Sequence, residues 1–188
     1  MRKHFLFCGP SGSGKTSIVH YLLSQFSFMR FSVSATTRPK RHNEENGKDY
    51  YFLSVEEFKK KIEEDAFIEW EQVYEGRYYG TLRSEVKRIE DINCSVVFDV
   101  DVEGGMNIKK CFGDNLLSVF IRPPSVEDLR QRLIARSTET PESLQKRLDK
   151  SVFELGYEKN FDNVIINSDL EESCKKAKML VETFLRKA

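Results

Sequence analysis

An excess of charge of either sign is missing from this sequence of 188 residues: Lys+Arg and Asp+Glu each number 30, so the formal net charge is zero. Proteins that track a polynucleotide backbone carry a basic excess, so nucleic acid is not expected as a partner. Long apolar runs are missing too. None approaches the roughly 18 residues of a bilayer-spanning helix, so no membrane association is expected. Cysteine is sparse and scattered: Cys8, Cys94, Cys111 and Cys174 form no C-x-x-C pair and no zinc-like spacing. They are expected to be small buried hydrophobes in a reducing compartment. No signal-peptide pattern precedes the first apolar run, so a cytoplasmic location is expected. The three histidines, His4, His20 and His42, show no evident catalytic partner. Repeats and low-complexity tracts are absent. What remains is 39% hydrophobic and 32% charged, long enough for one domain with a buried core. Any anionic ligand must be met by a local cluster of charge.

Such a cluster opens the chain. Phe5-Leu6-Phe7-Cys8 leads directly into Gly9-Pro10-Ser11-Gly12-Ser13-Gly14-Lys15-Thr16, followed by Ser17. This is G-x-x-x-x-G-K-[ST] between an apolar strand and a helix, the context in which that motif cradles phosphates. Glycines let the backbone turn several N–H groups toward one concave anion site. Lys15 adds a mobile charge for the β- and γ-phosphates, and the Thr16 hydroxyl is placed to ligate Mg²⁺ directly. The helix starting near Lys15 aims its positive end at the same phosphates.

Further apolar runs recur at wide intervals: Cys94–Phe98, Leu116–Ile121 and Val164–Ile166, with Arg30–Ser34 as a fifth candidate strand. They lack in/out alternation, as parallel strands buried on both faces do. Helical stretches separate them; the last follows Asp169, with Glu172 as its capping partner. Alternating strands and helices predict an open α/β sheet with ligands at the carboxyl ends of its strands. Two segments break the rhythm. Residues 35–88 are polar and aromatic, with strand-like Asp49–Leu53, Phe67–Val73 and Arg77–Tyr79 around a helix capped by Ser54-x-x-Glu57. From Arg122-Pro123-Pro124 to Gly156 the pattern is a helical hairpin, with Ser125-x-x-Asp128 capping one helix and Thr140-Pro141 starting the next.

Asp99 and Asp101 stand two apart at the end of Val96-Val97-Phe98, so in a strand they share a face toward the ligand crevice. Both are candidates for the acceptor site, with Asp99 also a candidate to hold Mg²⁺ through water. A polar strand end followed by a turn at Gly104-Gly105 is the alternative. Arg132 and Arg136 share one helix face, with Arg147 on the next helix. Alone they would be a solvated face; beside a phosphate loop they can stabilise a phosphoryl group in flight.

Phe31-Ser32-Val33-Ser34-Ala35-Thr36-Thr37-Arg38-Pro39-Lys40-Arg41, Gly47-Lys48-Asp49-Tyr50-Tyr51-Phe52, Phe67-Ile68-Glu69-Trp70 and Tyr78-Tyr79-Gly80-Thr81 complete a pattern that resembles guanylate kinases. The similarity spans nearly the whole chain, including Pro123-Pro124-Ser125 and Thr138-Glu139-Thr140 through Lys146-Arg147-Leu148. It implies a P-loop NTPase-type parallel sheet flanked by helices (core 1–33, 89–122 and 157–188), an inserted mixed α/β GMP-binding subdomain at 34–88, and a helical lid at 123–156. It further implies that Ser34, Arg38, Arg41, Tyr50 and Tyr79 bind the GMP phosphate, and that Glu69, Thr81 and Asp101 surround guanine. Arg132 and Asn167 would lie near adenine, and Arg136 and Arg147 would contact the transferring phosphates. Lys15, Arg41, Arg136 and Arg147 are then the catalytic set. ATP, Mg²⁺ and GMP, with dGMP a further substrate, are the implied ligands, in a monomer or homodimer. The phosphate-clamp loop departs from the family pattern: Pro39 sits one place early and Asn43 replaces a glycine, while both arginines keep their spacing.

The chemistry of the residues agrees. Guanine turns two donors, N1–H and the 2-amino group, to one side, and a carboxylate can accept both. Guanidinium groups and tyrosine hydroxyls suit a monophosphate. Taken singly, Tyr50 and Tyr79 read better as core aromatics, and Glu69 as a solvated strand residue; the surrounding pattern is what turns the reading. Two other functions stay open: a non-catalytic interaction module of the same shape, against which Lys15 and the arginines speak, and a kinase for another nucleoside monophosphate.

Overall fold

The computed structural model describes residues 2–136 and 141–187. In chain order its strands are β1 (His4–Cys8), β2 (Met29–Phe31), β3 (Ala35–Thr36), β4 (Tyr51–Phe52), β5 (Phe67–Tyr74), β6 (Arg77–Leu82), β7 (Ser95–Asp99), β8 (Leu116–Arg122) and β9 (Asn163–Ile166). The helices are α1 (Lys15–Gln25), α2 (Val55–Glu63), α3 (Arg83–Asp91), α4 (Val102–Phe112), α5 (Val126–Arg136), α6 (Pro141–Leu155) and α7 (Leu170–Arg186).

The strands form two sheets. Five make a parallel sheet in the order β2-β7-β1-β8-β9. β1 is central, and all five of its residues are buried. Alternate side chains take opposite faces, as the strand period requires. Phe5 and Phe7 pack with Ile18, Val19 and Leu22 of α1 and with Ala177 and Val181 of α7. Leu6 and Cys8 pack on the other face with Val86 and Ile89 of α3 and Ile108 of α4. Continuous apolarity in β1 thus follows from burial on both sides, in agreement with the expected α/β class. α7 is capped by Asp169, whose side chain accepts from the Glu172 N–H. No helix among the described residues is long and apolar enough to cross a membrane.

The second sheet, in the order β4-β3-β6-β5, is built from the excursion between β2 and α3. β3 runs parallel to β4 and antiparallel to β6, and β5 is antiparallel to β6. Its own small core gathers Ala35, Phe58, Phe67, Tyr78 and Leu82. Phe58 stacks on Phe67 at 4.4 Å and on Tyr78 at 5.4 Å between centroids. It is delivered by α2, which starts with a reciprocal Ser54–Glu57 capping box, the device its sequence predicts.

Some expectations change. β2 ends at Phe31 rather than Ser34. Ser32 N–H still donates to Val97 O, but Val33 N–H turns away to the Glu85 carboxylate, which draws the chain out of the sheet. The alternative of a turn at Gly104-Gly105 falls away, since both lie in the first turn of α4. Their lack of a side chain answers crowding: a Cβ on Gly105 would sit 2.3 Å from Cys8 Sγ. Of the four free cysteines, Cys111 is exposed rather than buried.

Because Phe58 is fully buried at the centre of the smaller core, Phe58→Ala should lower stability by about 3–5 kcal/mol. Urea unfolding measures this, and a loss below about 1 kcal/mol would show that the second sheet does not depend on that stack.

Candidate active site

The carboxyl ends of β1, β7, β8 and β9 meet at the glycine-rich loop. Gly9, Gly12 and Gly14 hold φ values of 137°, 87° and 94°, a region closed to most side chains. Space forbids a side chain as well. A Cβ on Gly9 would fall 2.1 Å from Ile121 O, and one on Gly14 would fall 2.2 Å from Asn167 Nδ2. Within the loop, Ser13 N–H donates to Pro10 O at 3.1 Å. Gly14 is the N-cap of α1 and supplies no side-chain cap, so the first N–H groups of the helix stay open to an anion.

Lys15 is folded back over this loop. Its Nζ donates to Gly9 O at 2.8 Å and stands 3.9 Å from Asp99 Oδ1. Thr16 Oγ1 donates to Asp99 Oδ2 at 3.1 Å. A hydroxyl and a carboxylate side by side are hard oxygen donors of the kind Mg²⁺ takes. Among the described residues no three His, Cys, Asp or Glu cluster as metal ligands, so the donor set fits a cation that relies on phosphate and water for its remaining ligands. Asn167, just after β9, braces the loop: its buried side-chain amide donates to Ser13 O at 2.7 Å, and its backbone carbonyl accepts from Arg132 Nη2 at 2.8 Å. Gly12, Gly14, Ser17, Arg132 and Asn167 line a cavity of about 410 Å³ on this side. Leu129 and Leu133 of α5 are fully buried and close over Gly12.

A second cavity of about 360 Å³ lies between the loop, the second sheet and α6, a size typical of small-molecule sites. Gly9, Ser11, Lys15, Asp99 and Asp101 form its core side, and Ser34, Tyr50, Glu69 and Tyr79 form the opposite wall. Glu69 of β5 is directly paired with Thr81 of β6, so their side chains emerge on one face. Thr81 Oγ1 donates to Glu69 Oε1 at 2.5 Å. Burial pushes the Glu69 carboxyl up to about 7. Glu71, two residues along the same face, is pushed up to about 8 by its hydrogen bond with the Asp101 carboxyl and by burial. Asp101 caps α4, its Oδ1 accepting from Gly104 N–H at 3.0 Å. Gly104 has no room for a Cβ, which would lie 2.8 Å from Glu69 Oε2. Acceptors thus crowd one end of the cavity.

At the other end, the Arg38 guanidinium lies over the Tyr50 ring at 4.8 Å, and Tyr50 meets Tyr79 edge-on at 6.1 Å. Arg38 is held bidentately by Glu44, at 2.7 and 2.5 Å. That guanidinium draws the Glu44 carboxyl down to about 2. Glu44 also accepts from the Arg41 N–H at 2.9 Å, while the Arg41 side chain is exposed and off the cavity wall.

Arg147 of α6 reaches the glycine loop, its Nη2 donating to Ser11 Oγ at 2.8 Å. The side chain of Arg136 and the segment Thr138-Glu139-Thr140 lie outside the described residues. Four polar lining residues escaped the sequence reading: Glu71, Lys150, Ser151 and Glu154. Periodicity held the signal. Glu71 is two from Glu69 on a strand, and 150, 151 and 154 stand three, four and seven from Arg147 on a helix. Burial pushes Glu154 up to about 7.

The guanylate kinase family model matches residues 1–184. A guanylate kinase of Bacteroides fragilis is 48% identical over 183 residues, covering 97% of this chain and 90% of its own. One from Porphyromonas gingivalis is 44% identical over the full length of both chains. The crystal structure of guanylate kinase from Anaplasma phagocytophilum superposes with a TM-score of 0.75 at 28% identity, covering 97% of this chain and 85% of the other.

Gly14 combines positive φ with a 2.2 Å approach to Asn167, so Gly14→Ala should cost about 1–3 kcal/mol of stability. The variant should also lose at least about tenfold in nucleoside triphosphate affinity, since the loop can no longer close on its anion. Denaturant unfolding and calorimetric titration measure the two; wild-type values in both would remove Gly14 from the site.

Proposed function

The chain belongs to the guanylate kinase family, and from that membership and the geometry of its cleft we propose how its residues divide the transfer of a phosphoryl group from ATP to GMP. The reaction gives ADP and GDP. In our reading the loop Gly9–Ser17 holds the ATP phosphates, and Arg132 and Asn167 border its adenine. Residues 34–88 hold GMP, and residues 123–156 close over both. The observation that carries this reading is the buried Glu69, held from behind by Thr81, facing the glycine loop across one cavity.

Recognition of guanine follows from hydrogen-bond sense. An ionised Glu69 can accept from both N1–H and the 2-amino group, with Thr81 donating to Oε1 to fix the carboxylate and Asp101 offering a further acceptor. Adenine brings an acceptor to the same place and leaves the carboxylate unpaired in a buried site, a mismatch worth ~10⁴-fold in built hydrogen-bonding pockets. Ser34, Tyr50, Tyr79, Arg38 and Arg41 take the GMP phosphate. That dianion outcompetes the single carboxylate of Glu44 for Arg38.

Catalysis needs no general base, because the attacking oxygen of GMP is already anionic. Lys15 releases its loop carbonyls for the β- and γ-phosphates, and Arg136, Arg147 and Arg41 supply positive charge where the transferring group spreads its own. Mg²⁺, held by the Thr16 hydroxyl and through water by Asp99, would neutralise phosphate charge. Closure by the hairpin excludes water, which otherwise competes with GMP for the phosphoryl group. The scattered, unpaired cysteines favour the cytoplasm as the place of action,.

With ATP and Mg²⁺, GMP should support rapid ADP release, and AMP, CMP and UMP far less. Comparable turnover with AMP would sink the guanine assignment. Glu69→Ala should erase the preference while leaving ATP affinity in place.

The pH dependence has a definite sign. A carboxyl raised from about 4.5 to about 7 by folding keeps its proton in the folded state where the unfolded chain has lost it. Its contribution to stability therefore falls as pH rises from about 4.5 through about 7. GMP needs the ionised form, so binding expels that proton. KM for GMP should rise several-fold as pH drops from about 8 to about 6, with KM for ATP nearly constant. Glu69→Gln should flatten this dependence; an equally steep profile in the variant would assign it elsewhere.

A further inference from the structure

Lys150 lies three residues beyond Arg147 on α6 and lines the same cavity. Its Nζ stands 3.8 Å from Asp101 Oδ2 and 3.9 Å from Glu154 Oε1. The two oxygens of Asp101 have different duties. Oδ1 is committed to the Gly104 N–H as the cap of α4, which leaves Oδ2 as the oxygen that can meet a base. Lys150 is the ammonium beside that oxygen. A separation of 3.8 Å attracts without making a hydrogen bond, so the ammonium leaves Oδ2 its lone pairs, and the bond that a guanine amino group replaces or shares there is the one between the Glu71 and Asp101 carboxyls.

The surrounding charge gives this cation its importance. β5 presents Glu69 and Glu71, the start of α4 presents Asp101 and Glu103, and α6 presents Glu154. Lys150 acts on Glu71 and Glu154 as well as facing Asp101. Lys15, which also acts on Glu154, is turned toward the loop carbonyls, and Arg147 toward Ser11. GMP brings a phosphate dianion toward this carboxylate-rich wall, and like charges brought together at a binding surface cost affinity.

We infer that Lys150 is a positioning residue for guanine recognition: it holds Asp101 Oδ2 toward the cavity from α6 and offsets the carboxylate charge that incoming GMP meets. Base recognition and the helical hairpin are thereby joined through one side chain. The inference rests on the reading of this cavity as the GMP site.

Steady-state kinetics on the full chain test it with Lys150→Met, Lys150→Arg, Asp101→Asn and the Lys150→Met/Asp101→Asn double variant. Lys150→Met should raise KM for GMP roughly three- to tenfold, with kcat and KM for ATP within about twofold of wild type. Lys150→Arg, which keeps the charge, should restore most of the loss. In the Asp101→Asn background, Lys150→Met should add less than about twofold. An equal rise in both KM values, a fall in kcat at unchanged KM, no rescue by arginine, or an undiminished effect in the Asp101→Asn background each overturns the inference. Wild-type selectivity separates the two levels. Loss of GMP preference over AMP in the wild type would fail the reading of the site, whereas a GMP-selective wild type with an unaffected Lys150→Met fails Lys150 alone.

Discussion

The contact on which the rest of the site depends is the hydrogen bond from the Asn167 amide to the Ser13 carbonyl, at 2.7 Å. It ties the glycine loop after β1 to the residue that follows β9, across the full width between those strand ends. The approach is so close that Gly14 cannot carry a Cβ. Because the backbone of Asn167 also accepts from Arg132, one residue couples the phosphate loop, the parallel sheet and α5. The loop's glycines adopt their positive φ values freely and would leave the loop mobile on its own. Held from both sides, it becomes a preformed anion cradle, which is what a phosphoryl-transfer enzyme needs when its catalysis is positioning and electrostatics rather than proton chemistry.

The opposite wall follows a different rule. Glu69, Glu71, Asp101 and Glu154 are drawn into one cavity, where burial raises the protonation range of Glu69 and Glu154, and the hydrogen bond with Asp101 together with burial raises that of Glu71. Such crowding is costly in a free protein. It is retained because the proposed base offers donors, and each acceptor that meets one recovers part of that cost on binding. Selectivity and local instability then share one cause. Arg38 and Glu44 repeat the arrangement in reverse: the carboxylate keeps a guanidinium oriented over Tyr50, from where, in the proposed reading, a stronger anion would take it over.

How much of this could be read from residues alone varies by element. β1, β7 and β8 declared themselves as unbroken apolar runs, and the caps at Ser54, Ser125 and Asp169 marked their helices, because caps are local chemistry. β4 falls inside the strand-like run Asp49–Leu53, whereas β3 is two residues long and exists only through pairing with β4 and β6, so no local pattern announces it. The end of β2 was likewise set by a distant partner, the Glu85 carboxylate. In the site, Lys15, Thr16 and Asp99 come together as their motif and strand-end positions imply. The neighbours of known candidates were overlooked. Lys150 and Glu154 were recoverable from helical spacing relative to Arg147, but a charged helix face usually means solvent, and only tertiary packing turns this one inward.

Placing Glu69 and Thr81 on paired antiparallel strands, instead of on a loop, has a consequence for how the enzyme can move. Cross-strand neighbours hold their spacing when a sheet shifts as a body, because the ladder between them is shared by β5 and β6. The base-reading unit can therefore travel with the second sheet without losing its geometry. The separation between that sheet and the glycine loop is free to change on closure. Lys15 and Arg147, attached to the core loop and to α6, approach from outside that rigid unit. In the proposed reading, selection of the acceptor and assembly of the transferring charges reside on separate bodies, so a nucleotide with the wrong base would fail at the first before the second is completed.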